Sequence, residues 1–188
     1  MSTIIEDGNG TGKKAQVDSS NRLEVSATVH PELHFNSKED KLAFDFSTGD
    51  FISITSADTE TGIFYMKNDS TTKSVIISTI RVCANQVHKV KVYKNPTGGT
   101  LISNATAGVV TNLNFTSSNT SDVTVYKGVE GATVSGTAFT QHISNKGHSL
   151  VNTGDALILG PKDSLSISME LDTAGDACIR LVGYIELL

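Results

Sequence analysis

The 188-residue chain has no tryptophan, only two cysteines and no apolar run near the ~18 residues that would cross a membrane as a helix. Sugar sites often use broad aromatic platforms, so aromatics at 6% with no tryptophan speak against carbohydrate binding. Tyr65, Tyr93, Tyr126 and Tyr184 fall in predicted strands, where they read as core edge or subunit contacts. Cys83 and Cys178 lie far apart in apolar contexts, which favours buried free thiols over a disulfide. The N-terminus carries no apolar secretion signal, so folding in the cytoplasm with no membrane partner is expected. The Asn-x-Ser/Thr sequons at Asn68, Asn104, Asn114 and Asn119 then read as by-products of a Ser/Thr/Asn-rich β surface. A net charge of −5 without a basic stripe excludes wholesale nucleic-acid binding.

Motifs for chemistry are equally sparse. Gly8-Asn9-Gly10-Thr11-Gly12-Lys13-Lys14 invites a phosphate-loop reading, but the first glycine position holds Asp7 and the Ser/Thr position holds Lys14. No predicted strand precedes the cluster and no predicted helix follows it. His30 and His34 have a one-face helical spacing, yet Pro31 biases His30 away from helix and no Glu adjoins the first His. They read as linker histidines. His88, His142 and His148 are scattered over strands and turns. Asp155 with Asp163, and Glu39 with Asp40, sit in turns where such carboxylates usually bond their own backbone. No Gly-x-Ser-x-Gly elbow occurs. No catalytic residue, cofactor or metal ligand is assigned, and an enzyme is not expected.

Strand signals fill most of the chain. Runs rich in Val, Ile, Thr, Phe and Tyr alternate with clusters of Gly, Asn, Asp and Ser, and no amphipathic helix is evident. Strands are predicted at 51–55, 63–67, 74–82, 87–94, 109–115, 122–126, 132–143, 149–151, 156–159, 164–171 and 177–187. Val75 to Ile80 is apolar on both faces, which predicts a central strand or one buried by another subunit. Ser164 to Leu171 alternates strictly and predicts one wet face. Gly160-Pro161-Lys162-Asp163 predicts a hairpin-like return between 156–159 and 164–171. The last strand reads as central and locked in a sheet. Together these features predict an all-β, jelly-roll-like β-sandwich over residues 41–188.

Residues 1–40 read as an N-terminal arm and linker. Three glycines in five residues make Asp7 to Asn21 a flexible leader, followed by one short strand, Arg22 to Val29, that needs a partner. Pro31 to Lys41 is polar and without clear periodicity, so it reads as a connector.

The stretch Gly10-Thr11-Gly12-Lys13-Lys14-Ala15-Gln16-Val17-Asp18 through Asn21-Arg22-Leu23 resembles the opening of many tailed-bacteriophage virion structural proteins, in which it precedes an all-β body. A weaker resemblance to phage structural proteins continues through Asn95-Pro96-Thr97-Gly98-Gly99 and Gly160-Pro161-Lys162-Asp163. The likeness implies a non-enzymatic virion protein, a capsid decoration (cement) or head-fibre protein. Its arm would attach through Gly8, Gly10, Gly12, Lys13, Lys14, Arg22, Leu23 and Val25. The implied partners are further copies of the chain, a trimer by analogy with similar jelly-rolls, and the major capsid protein or another virion protein. A tail, baseplate or receptor-binding component is the alternative, with loops 95–106 and 117–121 as contacts. A cytoplasmic jelly-roll binding module or enzyme, as in cupins, would need clustered His and Glu ligands that this spacing lacks.

Overall fold

The computed structural model describes residues 3–6, 14–17, 23–24, 32–97, 106–130 and 135–187. They fall into two compact units, Met1–Pro31 and Glu32–Leu188.

In the first unit, β1 (Thr3–Glu6), β2 (Lys14–Val17) and β3 (Leu23–Glu24) form an antiparallel meander. Thr3 faces Val17 and Gln16 faces Glu24. The expected leader with a single strand therefore gives way to strands that pair among themselves, since an isolated strand leaves its backbone groups unpaired.

The second unit opens with a single α-helical turn, α1 (Glu32–Phe35), and a π-helical turn, Asn36–Asp40, ended by Lys41 in the left-handed region. The predicted connector is thus part of the body, and the unit boundary falls after Pro31 instead of near residue 40. Leu33 packs against Ala43, Ile76 and Tyr184, which explains why the segment folds back on the sheet. The strands that follow are β4 (Ala43–Ser47), β5 (Ile52–Ile54), β6 (Thr61–Asn68), β7 (Lys73–Ala84) and β8 (His88–Thr97). Next come β9 (Thr106–Ala107), β10 (Val109–Asn112) and β11 (Val123–Glu130). The chain closes with β12 (Ser135–Ser144), β13 (Gly147–Leu159), β14 (Ser164–Leu171) and β15 (Gly175–Leu187).

One sheet runs β10-β4-β15-β7-β13 with β5 also on β15, and the other runs β12-β8-β14-β6-β11-β9. Numbering β4, β6, β7, β8, β12, β13, β14 and β15 from one to eight, the sheets read 1-8-3-6 and 5-4-7-2. That order is a jelly roll, an all-antiparallel double Greek key. Between the sheets lies one core built on Phe44, Phe46, Phe64, Met66, Ile77, Ile80, Ile167 and Leu181.

β7 and β15 are central, as their two-faced apolar patterns predict. Ile76 points out of the core into a second cluster with Ala43 and Tyr184, covered by Leu33 and Leu113 of the same chain. Gly183 makes the β7–β15 contact close. A Cβ there would stand 2.2 Å from the Ile76 carbonyl oxygen, a backbone atom held by its own ladder.

Two local expectations change. β13 and β14 belong to different sheets, so Gly160 to Asp163 is a crossover and not a hairpin. The jelly-roll path requires this, because strands six and seven lie on opposite layers. The serine face of β14 is dry, with Ser166 and Ser168 buried. Ser166 has Tyr65 and Tyr93 as cross-strand neighbours, and side chains that large shield one so short.

The two edges of the sandwich differ. At one, β9 pairs with β11 in the second sheet and β10 with β4 in the first, separated only by Gly108. The Gly108 N–H donates to the Val125 carbonyl at 2.8 Å, and a Cβ would come within 2.8 Å of the Ser47 carbonyl oxygen. The chain thus steps from layer to layer and closes that edge. The other edge is formed by β12 and β13.

Candidate assembly interface

Among the described residues, β12 pairs only with β8, and β13 only with β7. Each therefore presents an unpaired row of backbone donors and acceptors over 10 and 13 residues. Of their described side chains only Leu159 is buried. Phe139, Ile143, Leu150 and Ile158 are exposed at 45%, 72%, 54% and 56%, so the edge is apolar as well as unpaired. A groove of about 260 Å³, lined by Phe139, Leu157, Ile158 and Leu165, opens between the two strands. Lys94 and Asp163 line it as well.

Bulges shape this edge. β12 slips register between Ser135 and Thr137 and again between Ala138 and Thr140. β13 slips between Asn152 and Leu157, where Gly154 and Asp155 take positive φ of 57° and 60°. Such irregularities hinder indiscriminate strand addition. Within the β13 bulge, Thr153 Oγ1 donates to the Ile77 carbonyl and Asp155 Oδ1 is buried without a hydrogen bond, as is Ser78 Oγ on β7 opposite.

The described histidines lie on different elements. His88 is buried, its Nδ1 is 3.0 Å from the Gln86 carbonyl oxygen, and its Nε2 has no partner. His142 Nε2 lies 3.0 Å from Ser149 Oγ. Burial, with the charge His88 would carry, holds His142 below the ordinary histidine value. His148 is exposed on β13, and His34 lies on α1. Among the described residues no three His, Cys, Asp or Glu side chains are placed to hold a metal ion.

Asp163 accepts from Asn95 Nδ2 at 2.8 Å and from the Gly160 N–H at 3.1 Å, a turn role. Glu39 pairs with Lys38. Glu60 gathers the densest polar group, accepting from Lys91, from Tyr93 at 2.5 Å and from Ser168 at 2.6 Å. Burial would raise its carboxyl, but these hydrogen bonds and the Lys91 charge hold it below the ordinary glutamate value. A carboxylate so depressed stabilises the fold above its unfolded pKa and ceases to as pH falls through its native pKa. Denaturant midpoints measured from pH 7 to pH 3 are therefore expected to fall less steeply for Glu60→Gln than for the parent. Parallel curves would remove Glu60 from the acid response.

Of the predicted attachment residues, Lys14 and Leu23 lie in strands, facing Glu6 and Val17 in register. Gly8, Gly10, Gly12, Lys13, Arg22 and Val25 lie outside the described residues, as do His30 and the sequon at Asn104. Asn68 is 1% exposed, so its sequon is structurally closed. Tyr65 and Tyr126 stack with ring centroids 6.2 Å apart on one sheet face. Cys83 and Cys178 are free but half-buried, less enclosed than expected.

The sequence pattern predicts the strands of the apolar edge but not their exposure. The available signal was Ala156-Leu157-Ile158-Leu159, apolar on both faces, in a strand now seen to have one neighbour. Comparison with protein-family models, with curated proteins and with solved structures finds no match for this chain.

Proposed function

We propose that the chain is a non-enzymatic structural component of a phage virion, a capsid decoration or head-fibre protein. Its body self-associates, as a trimer by analogy with similar jelly-rolls, and its arm docks on the major capsid protein. The observation that supports this best is the inequality of the two sandwich edges. One edge is sealed by the chain stepping across at Gly108, while the other keeps two long strands and four large apolar side chains in solvent. A second copy offers the same strands and the same apolar groups, and a β12-to-β13 contact repeated from copy to copy makes a ring when its rotation closes. The arm fits the reading because it forms its own compact unit. Several arms on one oligomer would multiply affinity for a symmetric lattice.

Deleting residues 1–31 is expected to leave a folded oligomer of unchanged subunit number that no longer sediments with capsids. Unfolding on deletion would make the arm an integral part of the body, and retained capsid binding would move attachment elsewhere.

A tail or receptor-binding component is the second reading, favoured by Phe115. This side chain is 88% exposed on a loop tied to the π-helical turn by Asn114 Nδ2 donating to the Ser37 carbonyl at 2.9 Å. Quantitative mass spectrometry of purified virions separates the two. Hundreds of copies per particle support decoration, and a handful support a tail or vertex site.

A further inference from the structure

The register of β7 and β15 sets Cys83 directly opposite Cys178. Opposed residues of an antiparallel ladder stand about 4.5 or about 5.5 Å apart at Cα, according to whether the pair is hydrogen-bonded. A disulfide spans roughly 4.4–6.8 Å, so either kind of site admits one. Both side chains leave the same face of the sheet, because cross-strand partners in register share a face. Their neighbours Val82 and Ile179 fill the core, which turns the two thiols outward. Cys178 is only half-buried. It also lines a surface depression of about 220 Å³ beside Phe51 and Arg180, a route for a small reagent.

We propose that Cys83 and Cys178 form a reversible cross-strand disulfide, open in a reducing medium and closed by a low-molecular-weight disulfide such as oxidised glutathione. One thiol loses its proton and attacks a glutathione sulfur, forming a mixed disulfide and releasing one glutathione thiolate. The second thiolate attacks the protein sulfur of that mixed disulfide and releases the other glutathione. The protein loses two protons and two electrons, and the oxidant becomes two glutathione thiols.

Burial, together with the neighbouring Cys83, pushes the Cys178 thiol up to about 11. Cys178 is therefore a poor first nucleophile near neutral pH, and closure quickens in mild alkali. His148, the other cross-strand neighbour of Cys83, stands in the same row of the sheet. The bond would join the third and eighth jelly-roll strands at residues roughly 95 apart, constraining the unfolded chain far more than the folded one. This inference is independent of where on a particle the protein works.

The test uses the full chain, equilibrated at pH 8.5 with oxidised or with reduced glutathione, quenched in acid and digested with trypsin without reductant. Oxidation is expected to yield peptide Val82–Lys89 linked to Asp163–Arg180, two hydrogens lighter than their sum, from protein that runs as a monomer on a non-reducing gel. Reductant should abolish the link. The thermal midpoint should rise by roughly 5–10 °C on closure, and not in Cys83→Ser or Cys178→Ser. Thiols that both stay open to alkylation, that each carry glutathione without joining, or that join two chains would overturn the proposal.

Discussion

Asn68→Asp is expected to destabilise the body by about 3–5 kcal/mol, the cost typical of a buried charge without a partner. Asn68 is 1% exposed at the end of β6. Its Nδ2 donates to the carbonyls of Lys73, Leu159 and Gly160 at 2.8, 3.1 and 3.0 Å, and its Oδ1 accepts the Ser70 N–H at 3.1 Å. Its own backbone joins in, with the N–H donating to the Asp163 carbonyl and the carbonyl accepting from the Lys162 N–H. One side chain thereby fastens two crossovers between the layers, β6 to β7 and β13 to β14. Aspartate keeps the shape but turns a donor into a charged acceptor facing three carbonyl oxygens.

The pH dependence of that variant separates charge from shape. Such a carboxyl has its native pKa raised above the unfolded value, so the penalty is present at neutral pH and shrinks as acid protonates it in the native state. Asn68→Ala removes the same hydrogen bonds without adding charge, and its cost, roughly 1–3 kcal/mol, should not show this pH dependence. Denaturant unfolding of both variants at pH 7 and pH 5 checks the point. An Asn68→Asp deficit equal to that of Asn68→Ala at both values would mean the carboxylate is solvated and the clamp is not buried in solution.

Asn68 also shows where the sequence stops being readable. Asn68-Asp69-Ser70 announces a turn through residue types alone, and the turn is there. That the same side chain reaches Leu159 and Gly160 depends on contacts about 91 residues away, which no local pattern encodes. The long strands were legible for the same local reason. Leu165, Ile167, Met169 and Leu171 alternate with serines, and the doubly apolar β7 and β15 proved central. β4 is short, five residues with a single Phe44-Asp45-Phe46 alternation, and its buried Asp45 pairs with Arg180 of the neighbouring strand. β13 looked like two strands because Thr153-Gly154-Asp155 reads as a turn, whereas in the sheet it is a bulge opposite Ser78. The candidate interface was the least legible element. Exposure of Ile143 or Ile158 is a property of strand order, and strand order is set by the crossovers.

Lysines at the open edge should convert the assembly to monomers. Ile143 and Ile158 are 72% and 56% exposed in the single chain, so Ile143→Lys with Ile158→Lys should change folding stability by no more than about 0.5 kcal/mol each. In an assembly that covers the edge, each ammonium would be buried against apolar groups without a partner, at about 2 kcal/mol or more. Two such costs weaken association roughly a thousand-fold. Light scattering at micromolar concentration is expected to give a multiple of the 19.9 kDa chain mass for the parent and the chain mass for the double variant. Circular dichroism and thermal unfolding of the two at low concentration should coincide, which ties the loss to association and not to folding. A Phe115→Ser variant, altered at an aromatic that is 88% exposed and lies outside β12 and β13, should keep the parent mass. A parent that is itself a monomer, or a double variant that retains the parent mass, would show that this edge does not join copies of the chain.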